Sequence, residues 1–170
     1  MLSQQSRSVL PLIGALFTLY IVWGSTYFVI RLGVAQWPPL MMAGIRFLVA
    51  GIVLFSFLAW RGHALPTPKQ WLAAGAIGIL LLAVGNGLVT VAEHQHVPSG
   101  IAAVMVATVP LFTLCFSLLW GMRNTKLEWA GIALGLVGIV LLNTGNNLVG
   151  NPTGALLILL ASASWAFGSV

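Results

Sequence analysis

Charge is what this chain has least of. Only 5% of its 170 residues are charged, whereas a soluble domain carries about 25%. Seven Lys or Arg and two Glu are too few to cover a water-soluble globule of this size. Asp is absent, and the two acids are Glu93 and Glu128. The single cysteine, Cys115, excludes an intramolecular disulfide and a cysteine-based metal site.

Apolar residues make up most of what is present. They account for 59% of the chain, and the mean hydropathy is +1.04. A membrane-spanning helix needs about 20 mostly apolar residues. Runs of this kind occupy 9–30, 38–60, 71–92, 99–121 and 128–145, and a sixth, incomplete run occupies 152–170. The first run is longer than the h-region of a signal peptide, so we expect it to be a spanning helix that is not cleaved off. The sequence therefore predicts an all-α, polytopic membrane protein.

The connections between the runs are short and polar, which leaves no room for a soluble domain. Their basic residues predict the orientation, because cytoplasmic loops carry an excess of Lys and Arg. The tail at 1–8 and the second and fourth connections hold Arg7, Arg61, Lys69, Arg123 and Lys126. The opposite side holds only Arg31. We therefore expect a cytoplasmic N-terminus.

Two tryptophans lie inside their runs rather than at the ends, where tryptophan usually meets the lipid headgroups. Trp23 and Trp165 are 142 residues apart, and small and hydroxyl residues follow each of them. This weak similarity suggests that the sixth run repeats the first. A unit of five helices is odd, so a second unit would enter the membrane inverted, as in many secondary transporters. We expect one complete repeat at 9–145 and the start of a second at 152–170.

Four segments together carry a family resemblance. They are 19–31, 38–47 with its Arg46-Phe47 pair, 109–113 around Pro110, and 127–138 with its spaced glycines. As a set they resemble the EamA-type transporters of the drug/metabolite transporter superfamily. The resemblance implies ten helices in two repeats with both ends cytoplasmic. It also implies a multi-pass location in the inner membrane and transport, usually export, of amino acids, metabolites or drugs.

The same resemblance sets the expected partners. They are a small-molecule solute and the lipid bilayer, with no nucleic acid and no cofactor. Because the chain covers one repeat and one further helix, we expect it to need a second EamA repeat, the missing C-terminal half, or a partner chain.

Arg46 is the sharpest single signal. It lies eight residues past Pro38, about 12 Å into the membrane, near the middle of a hydrocarbon core of about 30 Å. A charge there costs about 2.5–3.5 kcal/mol on insertion scales. One interpretation is an anion site for a carboxylate or another electron-rich group of a substrate. The other is an arginine that only bonds backbone carbonyls or helix ends.

Glu93 and His94 end the third run on the same outer side. We expect them at the lip of a cavity, as substrate-binding residues able to exchange protons, or else as a solvated helix end. A direct pair between Glu93 and Arg46 is not favoured, because about 8–12 Å of depth separates them. His94 and His96 lack a third ligand, so no metal site is predicted.

Other polar residues within the runs complete the predicted binding site: Trp23, Ser25, Thr26, Asn86 and Thr90. An aromatic ring beside hydroxyls at mid-depth suits organic substrates, and flanking glycines loosen the backbone around Asn86. The alternative for each is an interhelical hydrogen bond, worth about 0.6 kcal/mol on average.

Proline and glycine predict mechanical roles. Pro110 removes a backbone donor in the middle of the fourth run, so it is either a hinge for alternating access or a static kink. Gly131, Gly135 and Gly138 lie on the fifth run at spacings that let helices approach closely, so we expect them to pack against another helix.

The leading hypothesis is a secondary transporter that exports small organic solutes. ATP-driven transport is excluded, because no GxxxxGK[ST] loop is present. Small four-helix multidrug exporters depend on a Glu in the first helix, and 9–30 contains no acid. The alternative from another class is a non-transporting truncated fragment or an assembly partner in the membrane. No G-x-S-x-G, HExxH or intramembrane Asp pair occurs, so we do not expect an enzyme.

Overall fold

The computed structural model describes residues 9–143 and 152–170. Within these ranges the chain is helical, with short turns and no strand, as the sequence predicts. The elements are α1 (Val9–Val34), α2 (Pro39–Trp60), α3 (Pro68–Gly78), a π-helical segment (Ile79–Asn86), α4 (Gly87–His94), α5 (Ser99–Val106), α6 (Val109–Leu119), α7 (Lys126–Asn143) and α8 (Pro152–Ser169). The expected tail at 1–8 and most of the connection before α8 lie outside the described residues.

Five stretches of the described chain are long and apolar enough to cross a membrane: Pro11–Val34, Pro39–Trp60, Pro68–His94, Ser99–Leu119 and Pro152–Ser169. The first and third extend past the expected 9–30 and 71–92. As a consequence, Arg31 lies in the last turn of α1 and not in the connection to α2. Most large apolar side chains on these helices are exposed, which is the surface that lipid tails or other helices cover.

Side-chain caps set where two of the helices begin. The backbone N–H of Thr67 donates to Gln70 Oε1 at 2.8 Å, and Gln70 donates back to the Thr67 hydroxyl. Thr125 and Glu128 form the same reciprocal arrangement before α7, with Thr125 N–H donating to Glu128 Oε2 at 2.6 Å. Such capping boxes satisfy backbone donors that the first helical turn leaves free.

The third spanning stretch changes its winding in the middle. α3 has no buried residue, the π-helical segment follows it, and α4 buries five of its eight residues. π-helical turns insert extra residues into an α-helix and rotate everything beyond them. The π segment thus joins a lipid-facing half to a half that faces the protein.

The end of α4 is closed tightly. His96 has a left-handed backbone, with φ of +69°. The N–H of buried Val97 donates to the carbonyl oxygen of Ala92 at 3.2 Å. This is the hydrogen bond of a Schellman motif, which satisfies carbonyls at a helix end. It holds the last turn of α4 against the protein.

The fourth spanning stretch is two helices, because a turn at 107–108 separates α5 from α6. Pro110 is the second residue of α6, where its missing N–H costs little. The Thr108 hydroxyl donates to the carbonyl oxygen of Met105 at 2.8 Å, and the Thr113 hydroxyl donates to that of Val109 at 2.9 Å. The interruption expected at Pro110 is present, two residues before the proline.

The core of the described chain forms around α8. This helix packs against the π segment and against α4, α5 and α6. Its buried face consists mainly of small residues: Gly154, Ile158, Ala161, Ser162 and Ala166. Lipid tails are as apolar as leucine, so helices associate in membranes through close packing of small residues. α8, the sixth apolar run of the sequence, is therefore central to the packing of the π segment, α4, α5 and α6.

A close approach of α8 to the π segment predicts the effect of a single methyl group. A Cβ at Gly85 would lie 3.0 Å from Trp165 Cε3 and 3.1 Å from the Leu80 carbonyl oxygen. Overpacking of this kind typically costs about 1–3 kcal/mol. We expect Gly85→Ala to lower the thermal unfolding temperature of the chain in detergent micelles.

Gly75→Ala is the matched control, because it lies in the same spanning stretch and no neighbouring atom of the described residues lies within 4 Å of a Cβ built there. Alanine favours a helix over glycine by up to about 1 kcal/mol, so this variant keeps or raises the unfolding temperature. Equal unfolding temperatures for the two variants would show that the α8 contact does not support the fold.

Candidate substrate-binding site

Arg46 and Asn86 form the polar centre of the described helices. Arg46 Nη2 donates a hydrogen bond to Asn86 Oδ1 at 2.7 Å. The guanidinium carbon also lies 4.5 Å from the centre of the Phe47 ring. Neither the carboxamide nor the ring carries a charge, so neither of them neutralises the positive guanidinium, which lies about 10 Å into α2. The arginine thus bonds a side chain of another helix and not the backbone.

The local sequence explains why Asn86 reaches Arg46. Asn86 is the last residue of the π segment, and it lies between two buried glycines, Gly85 and Gly87. Glycines let neighbouring helices come close: Leu40 of α2 would be 3.5 Å from a Cβ at Gly87. This close approach of α2 brings the two side chains within hydrogen-bonding distance.

Thr90 continues the same face of α4. It is fully buried, and its hydroxyl donates to the carbonyl oxygen of Asn86 at 2.8 Å. Glu93 follows on this face, because residues at i, i+4 and i+7 lie one above another on a helix. The face therefore carries an amide, a hydroxyl and a carboxyl group over about 10 Å of helix.

Trp23 and Trp165, the two tryptophans inside their runs, are in contact. Their ring centroids are 5.7 Å apart and the planes are nearly perpendicular, an edge-to-face pair. Trp23 is half exposed, so part of the indole remains open. The pair joins α1 to α8 and presents an aromatic surface within the spanning region.

Ser25 and Thr26 do not join this aromatic pair through their hydroxyls. The Ser25 hydroxyl donates to the carbonyl oxygen of Val22 at 3.1 Å, and the Thr26 hydroxyl donates to the same oxygen at 3.0 Å. Both bonds stay within α1, as is common for Ser and Thr inside helices. Their role in binding stays a prediction.

Glu93 and His94 differ in their surroundings. Glu93 is only 4% exposed, and neither carboxyl oxygen has a hydrogen-bond partner. His94 is exposed, and its Nδ1 lies 3.4 Å from the carbonyl oxygen of Val34 at the end of α1. Glu93 is thus a buried residue and not the solvated helix end that was one interpretation of the sequence.

Most residues with predicted mechanical roles lie around a cleft of about 770 Å³ between α6 and α7. Pro110, Gly131 and Gly135 line it. No described atom comes within 4 Å of a Cβ built at Gly131, Gly135 or Gly138. Helix packing at these glycines and hinge motion at Pro110 stay predictions. The cleft lining contains none of the predicted binding residues.

Two features of the site were missed at the sequence level. Trp165 was read as a mark of repetition and not as a member of the site, although its position inside an apolar run was the signal. The π segment has no periodic signature, and only the Gly-Asn-Gly sequence indicated an irregular backbone. The Ser164 hydroxyl stabilises it by donating to the Leu80 carbonyl oxygen at 2.8 Å.

Comparison with known proteins agrees with the resemblance seen in the sequence. The model of the EamA-like transporter family matches residues 10–144. Among curated proteins, the "uncharacterized inner membrane transporter YedA" of Escherichia coli (strain K12) is 71% identical over 164 residues, which is 96% of this chain and 54% of the relative. No solved structure matches the chain.

More distant relatives carry transporter names as well. The "uncharacterized transporter YvbV" of Bacillus subtilis (strain 168) is 30% identical over 156 residues, covering 89% of this chain and 50% of that protein. The "probable amino-acid metabolite efflux pump" of Salmonella typhimurium is 28% identical over 158 residues, covering 88% and 49%. The chain thus spans about half the length of the curated relatives it matches.

The strength of the Arg46–Asn86 contact can be measured by a double-mutant cycle. Hydrogen bonds to charged groups contribute about 1.5–3 kcal/mol. We expect Arg46→Met and Asn86→Leu each to change the free energy of unfolding, and the double variant to differ from their sum by about 1.5 kcal/mol. Unfolding in mixed detergent micelles provides the measurement. Additive effects would mean that the two side chains do not interact.

Proposed function

The chain belongs to the EamA-like transporter family, and on that premise we propose that it forms one half of a secondary transporter that exports small organic solutes by alternating access. It acts as a transporter and not as an enzyme. In secondary transporters with inverted repeats, the substrate site lies near the bilayer midplane, between the repeats. The Arg46–Asn86 pair is the polar group of this chain that suits such a position.

A positive charge within a span is the observation that carries the proposal. A mid-membrane arginine is costly and normally faces the bundle interior or a wet cavity. Asn86 orients the guanidinium but does not neutralise it. The remaining donors of Arg46 are suited to a carboxylate or another electron-rich group of a solute, because guanidinium binds such groups through paired hydrogen bonds.

The aromatic pair supports an organic substrate. The open face of Trp23, together with Trp165, offers apolar contact for the body of a solute while Arg46 binds its anionic group. Ser25, Thr26, Thr90 and His94 line the path in this proposal. A relative named as an amino-acid metabolite efflux pump makes amino acids the first solutes to test.

The proposed orientation places the N-terminus in the cytoplasm, as the basic residues of the connections predict. Pro110, next to the break between α5 and α6, serves as the hinge. The second wall of the chamber comes from a second EamA repeat or from a partner chain. The curated relatives are about twice as long as this chain, which fits that requirement.

The need for a second repeat can be tested by co-expression. The chain is reconstituted in liposomes alone, and also with the half of E. coli YedA that it does not match. Efflux of a panel of radiolabelled amino acids is then measured. We expect efflux only from the paired form, because a site between repeats needs both walls. Equal efflux from the isolated chain would contradict the half-transporter proposal.

Arg46 is tested in the same liposomes, which contain the chain together with the unmatched half of E. coli YedA. Arg46→Leu removes a charge-assisted hydrogen bond worth about 1.5–3 kcal/mol, and about 1.4 kcal/mol corresponds to tenfold. We therefore expect efflux to fall at least about tenfold, with membrane insertion unchanged. The control is Arg61→Leu, since Arg61 is exposed at the end of α2. Unchanged efflux in Arg46→Leu would remove this residue from the site.

A further inference from the structure

Glu93 has an arrangement that solute binding at Arg46 does not explain. It lies in the last turn of α4, only 4% exposed, and both carboxyl oxygens lack a hydrogen-bond partner. Buried polar side chains are nearly always hydrogen-bonded. A buried carboxylate without a partner is so costly that such groups are normally neutral. The geometry therefore suits a carboxylic acid and not a carboxylate.

The charged surroundings do not compensate for an ionised Glu93. α4 packs against α1, α2, α5, α8 and the π segment. Ionisable side chains occur on only some of these elements and in the turn after α4: Tyr20, Tyr27 and Arg31 on α1, Arg46 on α2, His94 on α4 itself and His96 beyond it. α5, α8 and the π segment contain none. None of these groups hydrogen-bonds to Glu93.

Neither Arg46 nor Arg31 forms a hydrogen bond with the Glu93 carboxyl group. Arg46 donates to Asn86, about two helical turns away along α4. Arg31 is exposed at the end of α1. It makes no hydrogen bond to Glu93. Burial of this kind favours the neutral carboxylic acid, and contact with water or a cation favours the carboxylate.

The surroundings favour a proton over a metal ion as the occupant. Metal cations such as Ca²⁺ take six or more oxygen ligands. The backbone carbonyls around Glu93 are committed to helical hydrogen bonds, and the Thr90 hydroxyl donates to Asn86. No group of three or more His, Cys, Asp or Glu side chains suited to a metal exists among the described residues. A proton needs only the carboxyl group itself.

We propose that Glu93 is a proton-binding site that couples solute movement to a proton gradient, an inference that rests on the transport function proposed for the chain. α1 packs against α4, with its buried residues Ile30 and Val34 near the end of that helix pair and the Val34 carbonyl oxygen 3.4 Å from His94 Nδ1. The proton is held while this packing is closed. It leaves when the α1–α4 contact opens and water solvates the carboxylate. Protonation and opening are therefore linked, as two-state coupling requires.

Infrared spectroscopy tests the protonation state without requiring transport. The chain has only two acidic side chains, and the other, Glu128, is exposed and accepts the Thr125 N–H. In micelles of a detergent without ester groups, at neutral pH, we expect the C=O stretch of a protonated side-chain carboxyl. It disappears in Glu93→Gln and remains in Glu128→Gln. Absence of this band in the unaltered chain, or its persistence in Glu93→Gln, would overturn the proton site.

Transport in liposomes that contain both chains tests whether solute movement is coupled to the proton gradient. With an imposed pH gradient, we expect net accumulation of labelled amino acid by the unaltered chain and by Glu128→Gln. Glu93→Gln should lose gradient-driven accumulation but retain exchange of labelled for unlabelled solute. Gln mimics the neutral acid, so its thermal unfolding temperature should match that of the unaltered chain.

The outcomes separate the two proposals. Gradient-driven accumulation that persists in Glu93→Gln, or is absent from the unaltered chain despite solute exchange, would overturn coupling through Glu93. Absence of any solute exchange by the unaltered chain would instead contradict the transport function, and the infrared band would still decide whether Glu93 carries a proton.

Discussion

Leu80 and Ser164 are 84 residues apart in the chain, yet the hydroxyl of one bonds the backbone carbonyl of the other. The bond lies where α8 packs against the π segment, beside the Gly85–Trp165 approach. Helices in a bilayer gain little from burying apolar surface against one another, so small residues and occasional polar bonds set their arrangement. The contact with α8 holds the π segment. The π segment holds Asn86, and Asn86 orients Arg46. The candidate site thus depends on α8, which lies beyond the predicted five-helix repeat.

The same dependence is visible in the packing of the whole described bundle. α8 occupies the centre of the described helices, whereas α2 has one buried residue, Ala43, and α3 has none. α8, which the sequence predicts to be the start of a second repeat, packs against helices of the predicted first repeat. The Trp23–Trp165 pair is the aromatic part of this packing.

The helices were predictable because spanning length and apolar composition leave few alternatives in a membrane. Arg46 and Trp23 stood out because charge and indole rings are rare at mid-depth. Other features depended on tertiary packing. Glu93 is buried where α4 packs against several other helices, and no local pattern encodes those contacts. Ser25 and Thr26 show why a polar residue inside an apolar run does not by itself predict a binding role. A hydroxyl inside a helix bonds its own backbone as readily as it binds a solute.

The π segment also changes how periodicity is read along 68–94. Each residue of an α-helix advances by about 100°, and a π-helical turn adds about one residue. Faces assigned from α3 therefore point about 100° away from the true faces of α4. A substitution scan plotted on one helical wheel would therefore misplace Thr90 and Glu93 by about that angle. Two separate wheels, in different phase, describe this single spanning stretch.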